Sequence, residues 1–152
     1  MKTFKQAYQI LKDAEKFHRE MADFYEELLD KADNNRTRLL LKHMLEHEQR
    51  MAQNLANYSG VTQHKVMKTW LQYTQEESAG HFIKSLNLSD PPTIKEINRM
   101  GREVERYFSD LYEAVYGAIE SAEVKEVFED LKQIQDKERI TLSMATNSLW
   151  DM

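Results

Sequence analysis

Polar and charged side chains interrupt the apolar stripes of this sequence at one common level, and these are the residues that could do chemistry. They are Glu15, His18, Glu48, Arg102, Glu105, Gln135 and Glu138, and the thioether of Met51 lies one turn after Glu48 at the same level. Burying a carboxylate is unfavourable unless it is paired or bound to a metal, and side chains three residues apart share one helix face. The pattern predicts a polar centre that binds a divalent metal or is closed by pairing among its own side chains.

Four long helical patterns must position that centre, because apolar residues recur at spacings of three and four. We expect helices over residues 4–32, 36–58, 94–119 and 122–149. Thr3 with Gln6, and Thr93 with Glu96, predict capping boxes at the first and third helices. The pair Ser59-Gly60 predicts the end of the second helix.

These elements predict an all-α fold with a single domain over residues 1–152. Two helical hairpins, 4–58 and 93–149, joined by a long crossover over 59–92, describe a four-helix bundle with a crossover. An open bundle or a helical-repeat module is the alternative.

The crossover carries two groups of apolar residues. Val66, Met67, Trp70 and Leu71 indicate a short helix, and Phe82, Ile83 and Leu86 indicate a further anchor. A long connection without anchors is unusual in a compact domain. We therefore expect Trp70 and Leu71 to pack against the bundle.

The chain also repeats itself at an offset of 87 residues. Identical pairs at this offset are Arg19 and Arg106, Asp23 and Asp110, Tyr25 and Tyr112, Glu26 and Glu113, and Leu55 and Leu142. One offset aligns both helices of each hairpin without a gap, which predicts a pseudo-twofold bundle. It pairs Glu15 with Arg102, His18 with Glu105, Glu48 with Gln135, and Met51 with Glu138.

Composition excludes several classes of protein. The 152-residue chain has 4 Gly, 2 Pro and no Cys, which argues against a turn-rich β-protein, a disulfide scaffold and thiolate chemistry. Its net charge of −5 does not favour nucleic acid or an anionic membrane as partner. Without an apolar run long enough for a membrane span, we expect a soluble, cytoplasmic protein.

The two hairpins resemble the rubrerythrin-type branch of the ferritin-like superfamily. The first reads AEKFHREMADFYEELLDKADNNRTRLLLKHMLEHEQRMAQNL, and the second, GREVERYFSDLYEAVYGAIESAEVKEVFEDLKQIQDKERITL, repeats the theme. The resemblance implies a di-iron site bridged by glutamates and held by histidines. By the same resemblance, Glu15 and Glu48 fall on two of the glutamate ligand positions.

This chain departs from the ligand set of that family at decisive places. Met51 stands where the first histidine is found, and Gln135 and Glu138 replace the second glutamate and its nearby histidine. Arg102 replaces the bridging glutamate of the third helix, and Glu105 resembles a carboxylate that some members carry one turn further on. A guanidinium is a permanent cation and cannot be a ligand.

The preferred hypothesis is a lost di-iron centre in which Arg102 pairs with Glu15, Glu48 or Glu138, with no cofactor. It predicts a non-catalytic binding, structural or regulatory domain. The alternative is a non-haem oxidase or peroxide-handling protein that holds iron or another divalent metal with Glu15, His18, Glu48, Glu105 and Glu138. A single-metal site of Glu15, His18 and Glu48, and outward-pointing side chains that form no cluster, also remain open.

Other candidates concern the helix surface and assembly. His43 and His47 lie four residues apart, but both are assigned to a solvated face outside the apolar stripe. The aromatic residues Phe24, Trp70, Tyr73, Phe82 and Trp150 are candidates for crossover packing or for an interface. A homodimer is expected, and the sequence identifies no small-molecule ligand.

Overall fold

The computed structural model describes residues 3–61, 64–73, 78–117 and 119–150. In chain order its elements are β1 (Thr3–Gln6), α1 (Ala7–Lys31), α2 (Asn35–Val61), α3 (His64–Met67), β2 (Trp70–Tyr73), α4 (Ala79–Leu86), α5 (Ile94–Gly117) and α6 (Ala122–Trp150). The described chain is mostly helical, which confirms the all-α class. The four predicted long helices correspond to α1, α2, α5 and α6.

The first hairpin starts later and ends later than its sequence predicts. The Gln6 backbone N–H donates to the Gln9 side chain at 2.8 Å, so the first helix begins at Ala7 and not at residue 4. The Asn34 side chain accepts from the Thr37 N–H at 2.9 Å at the start of α2. Helix α2 continues through Ser59-Gly60 to Val61, so the predicted stop at that pair is wrong.

A two-stranded antiparallel ribbon replaces the predicted start of the first helix at residue 4. The predicted short helix of the crossover is confirmed for Val66 and Met67, which lie in α3, whereas Trp70 and Leu71 belong to the ribbon. Strand β1 pairs with β2 in the register Phe4 to Gln72 and Gln6 to Trp70. Successive strand side chains point to opposite faces, so Leu71 is buried at 4% exposure, whereas Trp70 is 63% exposed. The predicted packing is confirmed for Leu71 and is wrong for Trp70.

Helix α4 provides the second anchor of the crossover, as predicted. Its N-terminus is capped by the Ser78 hydroxyl, which accepts from the His81 N–H at 3.1 Å. Phe82 and Leu86 are buried, and the Phe82 ring lies 5.7 Å from that of Phe17 in α1. Of the other aromatic candidates, Phe24 is partly buried against the core, and the side chains of Tyr73 and Trp150 lie outside the described part of the structure.

The predicted capping box at Thr93 and Glu96 is confirmed at the start of α5. The Thr93 N–H donates to the Glu96 carboxylate at 2.9 Å, and the Glu96 N–H donates to the Thr93 hydroxyl at 3.2 Å. Backbone N–H groups of Thr93 and Ser89 both donate to this carboxylate, which lowers the pKa of Glu96 to about 2.

Helix α1 packs along α2, and α6 packs against both α2 and α5. The core between these helices contains the large, fully buried side chains Tyr25, Tyr112, Phe108 and Phe128. Within the described part of α6, Gln135 is the last buried residue, and Ile140 and Met144 are exposed. No helix in the described ranges is both long and apolar enough to cross a membrane.

Candidate functional site

Six polar side chains meet inside the core, and we call them the central polar cluster. They are His18 of α1, His47 and Glu48 of α2, Glu105 of α5, and Gln135 and Glu138 of α6. The first three and Gln135 are at most 4% exposed, whereas the side chains of Glu105 and Glu138 are 17% and 18% exposed. Groups buried to this degree need partners within the protein.

His18 and Glu48 form the most deeply buried pair of the cluster. The His18 Nδ1 atom lies 2.5 Å from the Glu48 carboxylate, and the imidazole stacks on the Phe108 ring with centroids 4.0 Å apart. Within the described part of the chain, the other nitrogen of His18, Nε2, has no hydrogen-bond partner. The ring is therefore fixed by one carboxylate and one aromatic face.

His47 connects α2 with the second hairpin. Its Nε2 atom lies 2.8 Å from the Glu105 carboxylate, and its Nδ1 atom lies 3.8 Å from the Glu138 carboxylate. Arg50 donates to the same Glu138 group at 3.0 Å. Burial alone lowers the pKa of His47, but the hydrogen bond to Glu105 and the charges of Glu48, Glu105 and Glu138 outweigh burial and raise it.

Gln135 repeats in the second hairpin the position that Glu48 has in the first. Its Nε2 group donates to the Glu105 backbone carbonyl at 3.1 Å and to the Glu105 carboxylate at 3.5 Å. His18 with Glu48 and Glu105 with Gln135 are therefore contacting pairs related by the offset of 87 residues. The imidazole of His18 and the carboxylate of Glu48 in the first hairpin thus correspond to the carboxylate of Glu105 and the amide of Gln135 in the second hairpin.

Two buried phenols lie close to the cluster and are also 87 residues apart. Tyr25 and Tyr112 are each 1% exposed, and neither hydroxyl has a hydrogen-bond partner among the described residues. Burial, with the charges of Glu48 and Glu105, raises the pKa of Tyr25 well above its usual value. Burial also raises the pKa of Tyr112, so both phenols are neutral.

The predicted Arg102 pairing is wrong. Arg102 is exposed, and in the described structure it forms no hydrogen bond or ion pair with Glu15, Glu48 or Glu138. Glu15 accepts from Arg19 at 2.9 Å at the surface of α1, so the structure does not bring it into the cluster. Both residues lie at the edge of their stripes, where long side chains extend their charged ends to water.

His47 is a further residue that the sequence interpretation placed wrongly. It lies three residues after Met44 and four before Met51, and both of these are buried. This helical spacing places His47 on the buried face of α2, not on the solvated face predicted for it. Met51 itself lies in the core at the level where the resemblance expects a histidine ligand.

The arrangement of donors does not fit a two-metal centre. His18 and His47 each direct one ring nitrogen at a carboxylate of the cluster, and Met51 and Gln135 supply a thioether and an amide. Among the described residues, no three histidine or acidic side chains converge as ligands of one metal ion. The arrangement instead pairs imidazoles with carboxylates.

Comparison with known proteins gives no family model, no curated protein and no solved structure that matches this chain.

Proposed function

We propose that this chain is a ferritin-like four-helix bundle in which imidazole–carboxylate pairs take the place of metal ions, and that it acts as a non-catalytic binding domain. The observation that carries the proposal is the pairing of both buried histidines with carboxylates, His18 with Glu48 and His47 with Glu105. The pKa of His47 is raised by the carboxylates around it, and a protonated imidazole at that position supplies positive charge that a metal would otherwise bring to buried carboxylates.

The ferritin-like part of the proposal is supported by the order of the elements. Two long helices, a crossover with its own short helix α4, and two further long helices follow one another along the chain. The contacting pairs at an offset of 87 residues agree with two related hairpins. Bundles of this type build their sites from side chains on facing helices, as the central polar cluster is built.

The non-catalytic part of the proposal is supported by the state of the tyrosines and of Glu138 near the centre. Tyr25 and Tyr112 are protonated because burial raises their pKa values, and Glu138 is held by Arg50 and His47. None of these groups combines a free nucleophile with an adjacent base, which is the arrangement that covalent catalysis requires.

Metal content tests the proposal directly. The protein is expressed in medium supplemented with iron, manganese and zinc, purified without chelator, and analysed for bound metals by mass spectrometry. We expect substoichiometric metal in the wild type and in His47→Gln alike. One or two tightly held ions per chain, lost in His47→Gln but retained in the surface control Arg106→Gln, would overturn the proposal.

A metal-binding function is the second candidate, and one observation favours it. The His18 Nε2 and His47 Nδ1 atoms are buried without a hydrogen bond in the described structure, and metal-binding histidines characteristically donate their other nitrogen to a carboxylate. In this case His18, His47, Glu48, Glu105 and Glu138 would supply ligands after a rearrangement. The same metal analysis separates the two functions.

Assembly as a cytoplasmic homodimer is also proposed. The apolar side chains of Trp70, Ile140 and Met144 are exposed, and aromatic residues and methionine are enriched at protein interfaces. Light scattering at micromolar concentration should give the mass of two chains. The mass of one chain would contradict this proposal.

A further inference from the structure

A groove of about 600 Å³ opens between α2, α5 and α6, beside the central polar cluster. This volume is within the range of about 300–1,000 Å³ that is usual for small-molecule sites. Leu40 and Met44 line it from α2, and Gly101, Arg102 and Glu105 line it from α5. Helix α6 forms the opposite side of the groove with Arg139, Leu142, Ser143 and Thr146.

Two arginines in the groove have no partner in the part of the chain that the structure describes. Arg102 and Arg139 are exposed, and among the described residues neither forms a hydrogen bond or an ion pair. The other described arginines all have such an interaction. The two unpaired guanidinium groups therefore share one groove, contributed by adjacent helices.

The groove has an apolar floor next to these charges. Leu40 and Met44 are buried at 2% and 3% exposure, and Leu142 is partly buried against the core. A Cβ atom at Gly101 would lie 2.8 Å from the Met44 methyl group, so the glycine lets Met44 pack closely against α5 as part of this apolar floor. A ligand that fills the groove contacts apolar surface below and guanidinium groups above.

Glu105, the acidic residue of the lining, does not oppose an anion. Its carboxylate lies 2.8 Å from His47 Nε2 and accepts from Gln135, and its charge favours the protonated imidazole. The charge of Glu105 is thus compensated from inside the bundle. Arg102 and Arg139 supply the uncompensated charge of the groove.

We infer that this groove binds a small organic anion with an apolar body and one carboxylate or phosphate group. Guanidinium groups bind both anionic groups through paired hydrogen bonds, while the apolar body covers Leu40, Met44 and Leu142. The inference rests on the proposed binding function and gives the class of ligand. A ligand of this class must carry both an apolar body and a negative charge.

Titration calorimetry with four probes tests the inference: decanoate and decyl phosphate below their micelle concentrations, the uncharged decanol, and inorganic phosphate. We expect one molecule of either amphiphilic anion to bind per chain, and decanol and inorganic phosphate to bind at least about tenfold more weakly, a factor that corresponds to about 1.4 kcal/mol. A preference between decanoate and decyl phosphate then identifies the anionic group.

The double variant Arg102→Gln with Arg139→Gln should weaken binding of the anions at least about tenfold, to the affinity of decanol. Both positions are exposed, so the variant should fold, which far-UV circular dichroism verifies. Arg106→Gln is the matched control, because Arg106 is exposed on α5, pairs with Glu103 and lies outside the groove. It should bind as the wild type does.

Three results would overturn the inference: no binding of either anion, decanol binding as tightly as decanoate, or unchanged affinity in the double variant. None of these three results depends on the metal content of the protein. Stoichiometric metal would instead refute the proposed metal-free centre while the binding of the probes is unaffected. The two failures are therefore distinguishable.

Discussion

Replacing the buried pair of His18 and Glu48 by leucine, singly and together, tests the central polar cluster. Both side chains are buried almost completely and lie 2.5 Å apart. Glu48→Leu leaves both nitrogens of His18 without an acceptor, and His18→Leu leaves a buried carboxylate without its partner. Breaking a buried pair in this way costs about 3–5 kcal/mol of the free energy of unfolding.

The double variant distinguishes pairing from mere burial. Exchanging both members of a buried hydrogen-bonded pair for apolar residues of similar shape is often nearly neutral or stabilising. We therefore expect the double variant to be close to the wild type or more stable, although each single change is strongly destabilising. Urea unfolding monitored by circular dichroism at pH 6 gives all four free energies of the cycle.

The control is the exposed pair of Glu15 and Arg19, one turn apart on α1 at 2.9 Å. Glu15→Gln and Arg19→Gln should each change the free energy of unfolding by less than about 1 kcal/mol, as solvent-exposed pairs do. Glu48→Leu costing no more than this control, or a double variant as unstable as the sum of its single variants, would refute the pairing.

The pKa of His47 is raised on folding, so its stabilising contribution is complete below the ordinary value of 6.5 and is lost as the pH rises through the folded value; urea unfolding between neutral and alkaline pH should show this fall, and His47→Gln should reduce it. Trp70→Ala should cost less than about 0.5 kcal/mol because this side chain is exposed, whereas Leu71→Ala should cost about 2–5 kcal/mol; equal thermal-denaturation losses would contradict the ribbon. Thr93→Ala removes the side-chain cap of α5 and should lower the free energy of unfolding by about 1 kcal/mol. Because the pKa of Glu96 is lowered, the stabilising contribution of the Glu96 carboxylate should be lost as the pH falls towards 2. Acid titration of the wild type and of Thr93→Ala measures both effects.

The long helices follow from the sequence, whereas the ribbon does not. A stripe of apolar residues over more than 20 positions specifies a helix almost without regard to its neighbours, and Thr93 with Glu96 marks the start of α5 by local hydrogen bonds alone. Strands of four residues are too short to show a period. Phe4 becomes part of a strand only because Gln72, distant in sequence, pairs with it.

The members of the site were predictable more often than their partners. His18, Glu48 and Gln135 interrupt apolar stripes, and their burial follows from that position. Which side chains meet depends on the rotation of each helix about its axis, which the sequence defines only to within about a residue. Such an uncertainty moves Arg102 from the centre to the surface and His47 from the surface to the centre.

The pairing of β1 with β2 imposes an order on the folding of the chain while it is being synthesised. Helices α1 and α2 are close in sequence and form their hairpin from local contacts, but β1 must wait for a partner more than 60 residues further on. Closing so long a loop is entropically unfavourable, and contacts of this kind form late. Domains assemble from the N-terminus as the ribosome releases them, so residues 3–6 leave the ribosome as an unpaired edge that includes the exposed ring of Phe4. During this interval the backbone N–H and C=O groups of residues 3–6 lack the partners that β2 provides, and unpaired strand edges favour association with other chains; the arrival of Trp70–Tyr73 ends that exposure.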